Sequence, residues 1–165
     1  MTKYARKLEG KCRNRLEEGE EFLWGIRAKA KWFVSAQLMG ATGGATSAAA
    51  GGGMSFKGDP KAAAEVARAE EAGFPYSGCM AIAVTNKRLL IYERGRLLGG
   101  LKDYLGDFSL DHFESVRMSN QKGMGDMFMI RLKDGKEPIR IYGVRKDDTK
   151  EFNEKLQECL KATSS

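Results

Sequence analysis

Gly78-Cys79-Met80-Ala81-Ile82-Ala83-Val84-Thr85-Asn86-Lys87-Arg88-Leu89-Leu90-Ile91-Tyr92-Glu93-Arg94-Gly95-Arg96 reads as two strands around a tight turn. Met80, Ile82 and Val84 alternate with the small Cys79, Ala81 and Ala83, the period-2 pattern of a strand with one packed face. Thr85-Asn86-Lys87 supplies the turn, because asparagine tolerates the left-handed conformation and bonds to nearby backbone. Arg88 to Tyr92 returns as the second strand, and Arg94-Gly95-Arg96 turns the chain again. A meander of antiparallel strands is therefore the frame.

Upstream, Phe22, Trp24, Ile26, Ala28, Ala30 and Trp32 alternate with Arg27, Lys29 and Lys31, so one face of a long strand is aromatic and aliphatic and the other basic. Such strands belong to barrels and sandwiches. Downstream, Leu97 to Lys102 and Gly106 to Leu110 read as one irregular strand bent at Gly99-Gly100. Phe113, Val116 and Met118 mark a fifth strand, and Phe128, Ile130 and Leu132 a sixth with Met127 and Met129 opposite. Lys133-Asp134-Gly135-Lys136 is a hairpin turn. Ile139 and Ile141 form a seventh strand ending at Gly143. Phe152, Leu156, Cys159 and Leu160 then make a single helical stripe, with Asp147 or Asp148 as the expected cap and Glu151 completing a capping box. A helix after seven strands covers the open end of a curled sheet.

Two segments lie outside this frame. Residues 3 to 17 carry Tyr4, Leu8, Cys12 and Leu16 at every fourth position among lysines and arginines. This thin stripe packs on its own domain or, alternatively, docks as a basic helix on a membrane. From Trp32 to Phe56 there is no charged residue, and Met39 to Met54 is low-complexity glycine, alanine, serine and threonine. A flexible loop, a membrane span and a flap presenting Trp32, Phe33, Met39, Met54 and Phe56 to a membrane or partner all fit that composition. Asp59-Pro60 starts a short alanine-rich helix that ends at Gly73 and has Val66 as its one large apolar residue.

Seven strands followed by one amphipathic helix resembles the pleckstrin-homology (PH) superfold, and the wording is similar to the bacterial PH-like and GRAM-like group. Ala83 to Tyr92, Ser115-Val116, Lys133 to Lys136 and Tyr142-Gly143 carry the resemblance. It implies a mainly β, half-open seven-stranded barrel capped by the C-terminal helix, over residues 20–163. A basic helix over 1–19 precedes that domain, and a glycine/alanine-rich and helical insertion over 39–78 interrupts it. It further implies no catalytic centre and a gathering of loops at the open end, where Arg94, Arg96, Lys133 and Lys136 would form a basic rim.

The residues themselves agree with the absence of catalysis. His112 is the one histidine and is paired with no recognisable nucleophile, and the glycine-rich insertion lacks the lysine and hydroxyl residue of a phosphate loop. No cofactor and no metal is expected. Three dispersed cysteines fit a reducing cytoplasm. A net charge of +6 favours acidic partners. Two functions follow from the sequence. One is a protein-interaction adaptor, self-association included, with Met127 and Met129 as an adaptable contact face, although those methionines also suit packing under the N-terminal helix or the insertion. The other is a peripheral membrane module whose basic rim meets anionic lipid. Nucleic acid is the weaker partner, because the basic residues are not interleaved with exposed aromatics.

Overall fold

The computed structural model describes residues 1–34, 60–95, 100–123 and 125–165. Met39, Met54, Phe56 and Arg96 lie outside them, as does the uncharged stretch from residue 35 on. The described elements are α1 (Lys3–Cys12), β1 (Phe22–Ala30), α2 (Pro60–Ala72), β2 (Cys79–Thr85), β3 (Arg88–Arg94), β4 (Leu101–Ser109), β5 (Phe113–Gln121), β6 (Gly125–Leu132), β7 (Ile139–Gly143) and α3 (Lys146–Thr163). The strands form one antiparallel sheet in the order β4-β3-β2-β1-β7-β6-β5. β1 is the joint. Its Ala28 is opposite Met80 of β2 on one side and Gly143 of β7 on the other. The sheet curls about a core of Ile26, Ile82, Ile91, Phe128 and Ile141, which Phe152 and Leu156 of α3 close. This is the pleckstrin-homology-like architecture, a seven-stranded open sheet with a capping C-terminal helix.

Both faces of β2 are buried, and the reason is α1. Ala81 and Ala83 are small enough to admit a helix, and Leu8 and Cys12 pack there with Leu90 and Tyr92 as a second core outside the barrel. Gly25 completes the fit, since a Cβ there would stand 2.5 Å from Leu8 Cδ2. Full burial of Leu8 is worth about 2 kcal/mol. The N-terminal helix therefore packs on its own domain. It ends sooner than its apolar stripe, at Cys12, and one 3-10 turn over Arg13–Arg15 leads out of it.

The Thr85-Asn86-Lys87-Arg88 turn is a clamp. Arg88 donates to both carboxylate oxygens of Glu20, from Nε and Nη2 at 3.0 Å each, and also to the Asp107 carboxylate and the Arg15 carbonyl. Thr85 Oγ1 donates to Glu20 at 2.7 Å. Asn86 donates to the Gly19 carbonyl and accepts from the Glu21 amide. The Glu20 side chain is fully buried. Burial opposes its ionisation, but the Arg88, Glu17 and Thr85 hydrogen bonds outweigh that and hold its carboxyl below the ordinary 4.5.

Three expectations are corrected. β1 stops at Ala30, and residues 31–34 turn helical, so Trp32 does not continue the strand. The register of β1 shifts between Phe22 and Trp24, which turns Phe22 to the α1 side while Trp24 stays against the barrel core. Neither aspartate caps α3: Arg145 holds that position without a side-chain bond, and Asp147 and Asp148 fall in the first turn. The helix starts early because Thr149 is pinned, donating to Asp126 at 2.6 Å and lying where a Gly143 Cβ would be.

Two predictions follow from this packing. Arg88→Met leaves Glu20 buried without its cation and should cost about 3 kcal/mol in chemical denaturation at pH 7. The folded-state pKa of Glu20 is depressed in the wild type, so its contribution is complete above about pH 4.5 and is lost as the pH falls through the folded value. The deficit of Arg88→Met should therefore shrink on acidification. Separately, Gly143→Ala should destabilise by about 2 kcal/mol or more through overpacking, and Thr149→Ser should restore part of the loss by deleting the clashing methyl.

Candidate functional site

Of the expected basic rim, Arg96 lies outside the described residues, and Arg94 is not exposed beside Lys133 and Lys136. Arg94 shares its strand face with Leu90 and Tyr92, is 8% exposed, and lies close enough to Tyr4 of α1 to act on its ionisation. The alternation of β3 thus places it on the α1 side and not on an exposed loop. Lys133 and Lys136 are exposed together on the β6–β7 turn. Lys136 is ion-paired with Glu71 of α2, and Arg68 of the same helix donates to Asp134 at 2.9 Å and to the Glu137 carbonyl.

That docking changes the meaning of the helical part of the insertion. Ala62 and Ala69 of α2 are buried in the barrel core with Phe74 just beyond, and Val66 packs against it. Phe74 stacks on Phe108 of β4, while Tyr76 donates to the Arg140 carbonyl of β7. α2 and the turn after it link β4 to the β6–β7 hairpin. The cleft they leave, about 390 Å³, is lined by Arg68, Glu71 and Lys136; Lys136 pairs with Glu71, and Arg68 pairs with Asp134 beside it.

Trp32 and Phe33 are also corrected. They are 9% and 1% exposed and belong to the core rather than to an exposed flap. The helical turn at 31–34 aims Phe33 inward over Gly78, where a Cβ would lie 2.6 Å from its ring. Met127 and Met129 are half-buried on the outer face of β6, paired with Ser119 and Arg117 of β5. α1 packs on β1 and β2, so packing under the N-terminal helix does not account for these methionines. His112 sits in the 3-10 turn before β5 with its ring against Phe108, a structural place.

A basic site forms elsewhere, where α1 meets the start of α3. Thr2 caps α1 by accepting from the Ala5 amide, which sets Lys3, Tyr4 and Lys7 on the turns facing β1. The outward residues of β1 include Arg27, whose guanidinium lies 4.3 Å from the centre of the Tyr4 ring. The Val144 amide donates to the Arg27 carbonyl at 3.0 Å, and this bond brings the first turn of α3 alongside. The result is a cavity of about 630 Å³ lined by Lys3, Lys7, Arg27, Arg145 and Lys146, with Asp147 and Asp148 as its carboxylates. Five cations face two anions.

Three polar atoms in this wall are buried without a hydrogen-bond partner among the described residues: Tyr4 Oη, Arg27 Nε and Asp148 Oδ1. Tyr4 is 8% and Asp148 3% exposed. Burial raises the Tyr4 pKa, and the nearby Asp148 carboxylate adds to it, against the charges of Arg94 and Arg27 and a side-chain interaction with Arg27. The sequence showed each of these basic residues but not their meeting, because Lys3, Arg27 and Lys146 come from three elements.

No family model matches this chain, and no curated protein does. Among solved structures it is similar to a pleckstrin homology domain from Shewanella amazonensis SB2B, at 10% identity and a TM-score of 0.45 over 93% of this chain and 96% of that one. It is also similar to a DUF1696 family protein with a pleckstrin-homology domain from Shewanella loihica PV-4, at 15% identity and a TM-score of 0.38 over 58% of this chain and 92% of that one. These neighbours are bacterial PH-domain structures. The PH-like description of this chain stands on its own strand order and capping helix.

The fit of α1 against β1 makes a direct prediction. Gly25→Val drives a side chain into Leu8 and should cost about 1–3 kcal/mol. The loss should appear first as faster proteolytic cleavage in residues 1–21, with the barrel still resistant.

Proposed function

We propose that this chain is a non-enzymatic PH-like binding module that docks on an anionic membrane surface at the end where α1 meets α3. The observation that carries the reading is the convergence of Lys3, Lys7, Arg27, Arg145 and Lys146 around one cavity. Lys3, Lys7, Arg145 and Lys146 are exposed, so their charge is available to a partner. A well-placed basic residue contributes about 1 kcal/mol at an anionic leaflet, which makes several together sufficient for reversible attachment. Spanning is not part of this reading: among the described residues no helix is long and apolar enough to cross a membrane. The attachment face is therefore the α1–α3 end, in place of the loop rim expected from the resemblance.

A protein-adaptor role is the second reading. It is favoured by Met127 and Met129, adaptable side chains on the outer face of β6 beside Arg117 and Arg131. A contact built on them would be salt-resistant, whereas attachment by exposed charges weakens as the screening length falls below about 10 Å.

Co-sedimentation with vesicles separates the two. The triple variant Lys3→Glu, Lys7→Glu, Lys146→Glu should lower partitioning onto phosphatidylserine vesicles by about a hundredfold or more, and raised salt should do the same to the wild type. Lys133→Glu with Lys136→Glu should change it by less than about threefold, since those residues stand on a different turn. Equal loss from both sets would return the attachment face to the β6–β7 turn. Wild-type protein that does not sediment would leave the adaptor role, tested next by Met127→Asp.

A further inference from the structure

The outer face of β5, β6 and β7 gathers positive charge of its own, apart from the α1–α3 end. Phe128, Ile130 and Leu132 point into the core, so Met127, Met129 and Arg131 point outward. Arg117 of β5 and Arg140 of β7 stand opposite Met129 on its two sides, and Ser119 stands opposite Met127. Neighbouring strands lie about 4.8 Å apart, so three guanidinium groups frame one short apolar strip. Arg117, Ser119 and Arg131 are exposed, and both methionines are half-buried.

None of these three arginines makes an ion pair among the described residues. Of the acids in β5 and β6, Asp126 is buried and bonded to Thr149, and Glu114 falls at the register shift of β5 without pairing to them. Like charges gathered on neighbouring strands destabilise a sheet. The face is thus electrostatically complementary to carboxylates, which arginine meets through parallel N–H donors. The apolar strip sets the shape of the occupant. Met127 and Met129 are two strand positions apart, about 7 Å, and residues i and i+4 of a helix are about 6 Å apart along its axis. One ridge of a helix running along β6 therefore meets both methionines. A nucleic acid fits less well, because Tyr142, the aromatic opposite Met127, is 4% exposed and offers no ring for a base to stack on.

We propose that the outer face of β5–β7 binds an acidic amphipathic helix of a partner protein. The apolar ridge of that helix settles on Met127 and Met129, whose flexible thioethers adapt to it, and the carboxylates bordering the ridge pair with Arg117, Arg131 and Arg140. This inference rests on the protein-adaptor reading above and names its partner. It is separate from attachment at the α1–α3 end, which uses different residues.

Selection of a displayed library of helical peptides, about 18 residues long, on the full chain tests this. Binders kept by the wild type and lost on the double variant Arg117→Glu, Arg131→Glu should carry Asp or Glu beside apolar residues at i, i+4 and i+7. An enriched peptide, synthesised and titrated into protein with isotope-labelled methionine methyl groups, should shift the Met127 and Met129 signals saturably at one equivalent and leave that of the fully buried Met80 in place. The double arginine variant should weaken binding about tenfold or more, and Met127→Gln with Met129→Gln by a similar factor. An unchanged Met80 signal in both variants shows that the core is intact. Enriched peptides that shift the same two methyls without being acidic would keep the adaptor role and overturn its acidic partner. A selection whose peptides leave Met127 and Met129 unshifted, or that enriches nothing, would overturn both. Phosphatidylserine vesicles that shift these methyls where no peptide does would overturn the proposal and give the face to lipid. Concentration-dependent self-association that Arg117→Glu abolishes, with no peptide enriched, would overturn it in favour of a second copy of this chain.

Discussion

The ion pair between Glu20 and Arg88 is the constraint on which the rest depends. A carboxylate with no exposed surface persists there because Arg88 meets it through two parallel N–H donors while Thr85 and the Glu17 amide occupy its remaining lone pairs. The pair ties the β2–β3 turn to the segment before β1, and Arg88 reaches from there to Asp107 of β4 and back to the Arg15 carbonyl. One side chain thus fixes the pairing of β1 with β2, the departure of β4 and the exit of α1. Its fully satisfied network makes the local geometry single-valued, which a merely apolar contact would not do.

From that anchor the molecule becomes two cores on one curled sheet. The inner core is closed by α3, by the buried alanines of α2 and by the aromatic pair Trp32 and Phe33. The outer core is the thinner one, α1 on the alanine face of β2. Glycines with no room for a Cβ sit at both joints, Gly25 beneath α1 and Gly143 beneath α3. The basic cavity lies between these joints, so its shape depends on helix placement on both sides.

The strands were legible because their alternation is clean: the hairpin from Cys79 to Tyr92, the Asp134-Gly135 turn and the stripe of α3 all fall where pattern alone puts them. Much of the candidate site was not. Arg94 looks like a loop cation from its Arg-Gly-Arg setting, but the period of β3 turns it toward α1, and nothing local announces that a helix will cover that face. The available hint was the row of small residues on β2, Ala81 and Ala83, which is the signature of close approach and not of a thin strand. Trp32 was misplaced for a different reason. Its alternation with Ala30 continues the strand pattern, yet Gly78 offers Phe33 a space that only the turn at 31–34 can fill.

By itself the sequence determined the element order, the antiparallel meander and the amphipathic cap, because hydrophobic period and turn chemistry are local properties that each segment carries with it. It also determined a cationic chain. The tertiary structure alone decided where the cations meet. Lys3, Arg27 and Lys146 are separated by most of the chain, and they share a cavity because α1 docks over Gly25 and α3 starts beside Gly143. Both are packing events between distant segments, governed by volume and close contact, which no local pattern encodes.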